Sequence, residues 1–262
     1  MDLEGLPPVG GILESSLVHW EGHVAAVVFL QGCNLACPSC PVPHLVARAP
    51  GPGADPGAAS WRGRIPVESV LDVVFSRRHL LDGVVVAGGE PTLHATLPDL
   101  LEVLRSFGLR TRLHTNGTRP RALGQAIGAD LVDSVQLTLQ APLNALYPVA
   151  AGTEVDLGGI YRSVELLLGR NGDDEFRLAV DPRLLTKEDV LRVGRTVAGA
   201  RRLVLAPVGN GPSERPGKRL LRSLARLAGP FVESCTVAGE PARDYGRRSA
   251  AATRRRGALG VA

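Results

Sequence analysis

Three of the four cysteines in the chain, Cys33, Cys37 and Cys40, fall within eight residues in the run Q-G-C-N-L-A-C-P-S-C. Thiolates are soft donors that suit zinc or iron–sulfur clusters, and a cluster needs closely spaced ligands from one loop. Structural zinc takes four ligands, commonly as two pairs, and here there is one triplet. Three arrangements satisfy the residues. A zinc site could recruit His19, His23 or His44. A structural cluster could close on Cys235, far along the chain. A four-iron cluster could also be left one ligand short, with its open iron taking a substrate or cofactor, as catalytic zinc keeps one position open. The triplet's place after a first buried strand favours the third arrangement.

The elements that must carry this loop alternate in type. Val24–Leu30 reads as a buried strand and residues 67–81 as an amphipathic helix. Gly83–Ala87, Arg110–His114, Ser134–Leu139, Glu175–Val180 and Arg201–Ala206 read as further strands. Helices are expected through Leu97–Leu104, Arg119–Ile127, Ile160–Leu168, Lys187–Val197 and Arg219–Leu227. Six strand-then-helix units with short links imply parallel strands joined by right-handed crossovers. The class is α/β in one domain over residues 1–240, either a barrel or incomplete barrel or an open doubly wound sheet. The run Arg48–Gly63 is rich in Pro and Gly and reads as a loop that could act as a lid.

Composition narrows the setting. Apolar residues make up 44% and charged ones 21%, enough for an ordinary core. No apolar run approaches the roughly 18 residues of a membrane span. The start M-D-L-E-G-L-P-P-V-G lacks the features of a signal peptide, so a cytoplasmic protein without a membrane partner is expected. The net charge is +4, and Lys187 and Lys218 are the only lysines. Residues 241–262 read as an Arg-rich, frayed tail, and nucleic acid is not an expected partner.

The loop C-N-L-A-C-P-S-C resembles the cluster loop of the radical S-adenosylmethionine (SAM) superfamily. Gly88–Pro91, G-G-E-P after the next strand, resembles that superfamily's SAM-binding motif. Residues 11–45 and the stretches D-G-V-V-V-A-G-G-E-P-T-L, L-H-T-N-G-T-R-P and D-S-V-Q-L-T-L-Q-A-P are similar to glycyl-radical-enzyme activases, most of all those activating anaerobic ribonucleoside-triphosphate reductases. The resemblance spans roughly residues 10–210 and implies a partial (β/α)6 TIM-like barrel of the radical SAM type.

It further implies that Cys33, Cys37 and Cys40 hold three irons of a [4Fe–4S] cluster whose fourth iron binds SAM. Gly88 and Gly89 would let the backbone approach SAM closely, and Glu90 would accept a bond from its amino group. Asn116 in T-N-G, with Thr138 and Gln140 after a later strand, would complete the SAM contacts, and Arg177 matches a family arginine or serves as an ion-pair partner. The implied partners are a glycyl-radical enzyme and a one-electron reductant such as flavodoxin or ferredoxin. Three positions depart from the pattern. Ser39 replaces an aromatic, Pro41 replaces a histidine, and Thr138 and Gln140 stand where related activases carry Asp and Lys. Other readings are a radical SAM enzyme acting on a small molecule, nucleobase or other protein, and a cluster-binding protein without SAM chemistry.

Overall fold

The computed structural model describes residues 5–46, 65–209, 214–240 and 244–247. The Arg48–Gly63 loop lies outside the described residues, as does the C-terminal tail except for 244–247. The backbone groups into two compact units, Met1–Ala36 with Val42–Gln136, and Cys37–Pro41 with Leu137–Ala262.

In the first unit β1 (Val9–Ser16) pairs antiparallel with β2 (Ala25–Leu30). Then follow α1 (Val67–Arg77), β3 (Gly83–Gly88), α2 (Leu97–Ser106), β4 (Arg110–Thr115), α3 (Pro120–Gly128) and the start of β5 (Ser134–Leu139). The pairs β2–β3 and β3–β4 are parallel, with Leu30 opposite Gly88 and Val86 opposite Leu113. β2 and β3 are short apolar runs buried on both faces, as parallel strands beneath helices must be. α2 buries Leu97, Leu100, Leu101 and Leu104 at three- and four-residue spacing and packs beside β4. Trp20, fully buried in the β1–β2 connection, packs with Ala25, Val27, Val85 and Ala87.

In the second unit β5 is followed by α4 (Leu146–Ala151), α5 (Leu157–Leu168), β6 (Glu175–Val180), α6 (Lys187–Thr196), β7 (Arg202–Pro207), α7 (Lys218–Ala228) and β8 (Ser234–Val237). β6, β7 and β8 are parallel. α6 opens on a capping box: the Thr186 hydroxyl accepts from Asp189 N at 3.2 Å, and the Asp189 carboxylate accepts from Thr186 N at 2.9 Å.

The α/β class and the strand–helix alternation are as expected from the sequence. β1, α4 and β8 are additions. β1 has the sequence VGGILESS, whose two glycines and polar end hide a strand that is mostly half-buried or exposed. α4 carries Pro148, a helix breaker that is harmless here because the first turn needs no donor at that point.

Candidate functional site

Parallel strands place their C-terminal ends along one edge, where α/β folds build their sites. β2 runs out into Gln31-Gly32-Cys33, β3 into Gly88-Gly89-Glu90 and β4 into Thr115-Asn116-Gly117. The first two segments are stitched through their backbones. Gly89 N donates to Leu30 O at 2.9 Å, and Glu90 N donates to Gly32 O at 2.7 Å. Gly32 N in turn donates to Leu45 O at 2.7 Å. This closeness dictates both glycines. A Cβ on Gly89 would lie 2.0 Å from Gly32 O, and one on Gly88 2.3 Å from Leu30 O. Gly88 also has a φ of +115°, which L side chains rarely adopt.

Glu90 is engaged within the protein. Its carboxylate is fully buried and already accepts four bonds from the protein. Oε1 accepts from Thr92 N at 3.0 Å, from the Thr92 hydroxyl, and from the Thr115 hydroxyl at 2.7 Å. Oε2 accepts from Asn116 N at 2.6 Å. Burial pushes its carboxyl above the usual carboxylate value, against the pull of the Asn116, Thr92 and Thr115 donors. The G-G-E segment thus clamps the end of β4, and the half-exposed backbone at Gly88 and Gly89 is what it offers outward.

The clamp continues toward a cysteine. The Asn116 side chain is 7% exposed. Its Oδ1 accepts from Thr118 N at 3.0 Å and from the Thr118 hydroxyl at 2.7 Å. Nδ2 therefore points the other way, to Asn34 Oδ1 at 3.0 Å and Cys33 Sγ at 4.0 Å. Asn34 Nδ2 donates to Thr118 Oγ at 2.9 Å, and Leu35 N donates to Cys33 Sγ at 3.4 Å. Behind the loop the His94 ring lies with Nε2 2.8 Å from Gln31 O, and burial holds its imidazole below the usual histidine value. Asn34, Thr92, Thr115, Thr118 and His94 are residues the sequence reading did not single out. Their signal was position alone, since each lies within four residues of a motif residue.

Cys33, Cys37 and Cys40 are half-buried, and none is in a disulfide. Cys37 and Cys40 close a turn through Cys40 N to Cys37 O at 3.1 Å. Among the described residues no three His, Cys, Asp or Glu side chains are gathered as a ready-made metal cage. The match to a cluster rests on the donor set instead: three accessible thiols on one short loop, the soft ligands an iron–sulfur group needs. Cys235 is unlike them. It is fully buried in β8, and burial with the nearby Asp244 charge pushes its thiol up to about 12. His19 and His23 are engaged elsewhere. His19 Nδ1 lies 2.7 Å from Ser16 Oγ, and the His23 ring stacks on Trp20 at 4.5 Å. His44 is exposed on a single 3-10 turn.

Thr138 and Gln140, at the end of β5, are half-buried, and Gln140 N donates to the Tyr147 hydroxyl at 3.4 Å. Arg177 on β6 lies 4.0 Å from Glu175, an ion-pair distance. Ser39 is half-buried and Pro41 exposed.

The family model of the Radical SAM superfamily matches residues 27–173. A Methanocaldococcus jannaschii protein named for glycyl-radical enzyme activation is 25% identical over 194 residues, covering 72% of this chain and 75% of its own length. A 7-carboxy-7-deazaguanine synthase of Aquifex aeolicus is 34% identical over 100 residues, covering 37% of this chain and 38% of its own length. Among solved structures, Streptococcus suis SuiB bound to its precursor peptide SuiA superposes with a TM-score of 0.58 at 16% identity, covering 80% of this chain and 48% of that one. That likeness is one of fold, the partial barrel of the radical SAM type. Among the described residues no helix is long and apolar enough to cross a membrane.

Proposed function

The chain belongs to the radical SAM superfamily, and on that premise we propose that it is a glycyl-radical-enzyme activase, serving an anaerobic ribonucleotide reductase or a similar partner. The observation that carries this reading is its similarity to the Methanocaldococcus jannaschii protein over 75% of that protein's length. When bound, a [4Fe–4S] cluster with SAM supplies one-electron cleavage of the sulfonium and a radical that abstracts hydrogen.

The chain's own residues divide the remaining work. Cys33, Cys37 and Cys40 would hold the cluster, which when bound supplies the open position for SAM. Gly88 and Gly89 expose backbone at which the methionine end of SAM can lie, with no side chain in the way. Glu90 contributes from behind, fixing Asn116 through the bond from Asn116 N. Thr138 and Gln140 would offer neutral hydrogen-bonding groups where related activases carry charge. A one-electron donor such as flavodoxin or ferredoxin supplies the electron.

The test is anaerobic reconstitution with iron and sulfide, followed by SAM and a low-potential reductant. The expected product is 5′-deoxyadenosine, with a stable glycyl radical in the partner enzyme detected by electron paramagnetic resonance. A fully assembled cluster that forms no 5′-deoxyadenosine sinks the reading. A second reading, a radical enzyme acting on a small nucleobase-like molecule, is favoured by the 34% identity to the Aquifex aeolicus deazaguanine synthase. Turnover of such a molecule without any protein partner would select it.

A further inference from the structure

We propose that Asn116 is a positioning residue that tunes the cluster: its side-chain amide donates to the Cys33 sulfur and makes the metal group easier to reduce. The inference rests on the radical SAM reading of the site and adds to it a role for a residue expected only to touch SAM.

The geometry leaves the amide little choice. A primary amide has one acceptor and two donors. The Asn116 acceptor is spent on Thr118 N and the Thr118 hydroxyl. Its amide nitrogen therefore faces Asn34 Oδ1 at 3.0 Å and Cys33 Sγ at 4.0 Å, two acceptors for two N–H groups. The backbone of Asn116 is pinned at 2.6 Å to the buried Glu90 carboxylate, and the side chain is nearly shut off from water. This pinning restricts the orientations open to the donor.

The consequence follows from charge. Reduction adds one electron to the metal group, and part of that charge falls on the ligand sulfurs. An N–H dipole with its positive end on a sulfur stabilises the more negative state, and hydrogen bonds to sulfur are among the factors that set cluster potentials. In this site the reluctant step is electron entry from a weak one-electron donor. Asn116 lowers that barrier from outside the coordination shell, and Glu90 does so at one remove by holding Asn116 in place.

The experiment compares wild type, Asn116→Ala, Asn116→Asp and Thr118→Ala after anaerobic reconstitution. Iron and sulfide content is measured first, then the midpoint potential by spectroscopic titration without SAM. Asn116→Asp keeps an acceptor for Thr118 but replaces the donor with a carboxylate oxygen. The expected result is a full cluster whose reduction equilibrium is several-fold to tenfold less favourable in Asn116→Ala, and more so in Asn116→Asp, a tenfold change being about 59 mV for one electron. Thr118→Ala, which loosens the loop but keeps the donor, should shift the midpoint far less. An unchanged midpoint in both Asn116 variants overturns the proposal, as does an equal shift in Thr118→Ala. If the variants do not hold a cluster, wild-type protein labelled with 15N-asparagine decides the matter. A weak 15N coupling to the reduced cluster supports the proposal, and its absence refutes it. A wild-type chain that binds no cluster overturns the function reading and this inference together, whereas a normal cluster with an unmoved potential removes only the inference.

Discussion

Replacing Gly89 by alanine tests whether the cluster loop is seated on the end of β3. The added methyl group would stand 2.0 Å from the Gly32 oxygen, 2.5 Å from its carbonyl carbon and 3.2 Å from the Cys33 nitrogen. All three are backbone atoms, so no side-chain rotation relieves the collision. Even a 3.0 Å approach requires the two segments to part by about 1 Å, which stretches the 2.7 Å bond from Glu90 N to Gly32 O beyond hydrogen-bonding distance. Overpacking of this kind costs about 1–3 kcal/mol. A buried donor left unsatisfied costs about 1–3 kcal/mol more. The sum, roughly 2–6 kcal/mol, is a large part of the 5–15 kcal/mol typical of a folded domain. Urea unfolding of the metal-free protein measures it: the midpoint should fall with the slope unchanged. Gly128→Ala is the control, because a Cβ there meets nothing within 4 Å, and its stability should hold or rise slightly. A Gly89→Ala midpoint within about 0.5 kcal/mol of wild type, the range of a neutral surface change, would refute the seating argument.

Three further outcomes follow from the same structure. Burial raises the Glu90 carboxyl above its ordinary value of 4.5, so the folded chain holds this proton more tightly than the unfolded one. The resulting stability is present in full below about pH 4.5 and is lost as pH rises through the folded value. Unfolding free energies of wild type minus Glu90→Gln should therefore decline with pH above 4.5, and a flat or rising difference contradicts the assignment. Cys235, its thiol pushed up to about 12, should be about one part in ten thousand thiolate at pH 8. Iodoacetamide should label Cys33, Cys37 and Cys40 in the folded metal-free protein and spare Cys235, and Cys235→Ala should bind as much iron as wild type; loss of iron would make Cys235 a ligand. Thr186→Ala removes the cap of α6 and should cost about 1 kcal/mol in a urea titration, with no change in iron content.

The strands were legible by two patterns: β2 and β3 are short, continuous apolar runs, while β5 and β6 intersperse polar residues among apolar ones over six residues. Ser134–Leu139 and Glu175–Val180 appear with the expected bounds, and the other expected strands differ by a residue or so at an end. Helix ends moved more, as with α1, which stops at Arg77 and tightens into a 3-10 turn over Arg78–Leu80 where apolar spacing had suggested one element through residue 81. β1 stayed hidden because an edge strand with exposed polar positions has no strong pattern. At the site, spacing revealed the cysteines and the two glycines, whose roles depend on local backbone. The fate of the Glu90 side chain was not legible. Whether a carboxylate faces outward or inward depends on donors brought from β4, 25 residues on, and only the register of β3 against β4 brings Thr115 and Asn116 to it.

The clamp around Cys33 bears on the order in which a working protein is assembled. Structural zinc domains commonly remain unfolded until metal arrives, so that binding and folding are one event. Here Asn34, Asn116, Thr118 and Glu90 are bonded to one another through protein groups beside Cys33. The entropy of ordering that segment is spent on the polypeptide alone. If the network alone orders this segment, the protein should keep a cooperative urea transition after its iron is chelated, and loss of that transition would contradict it.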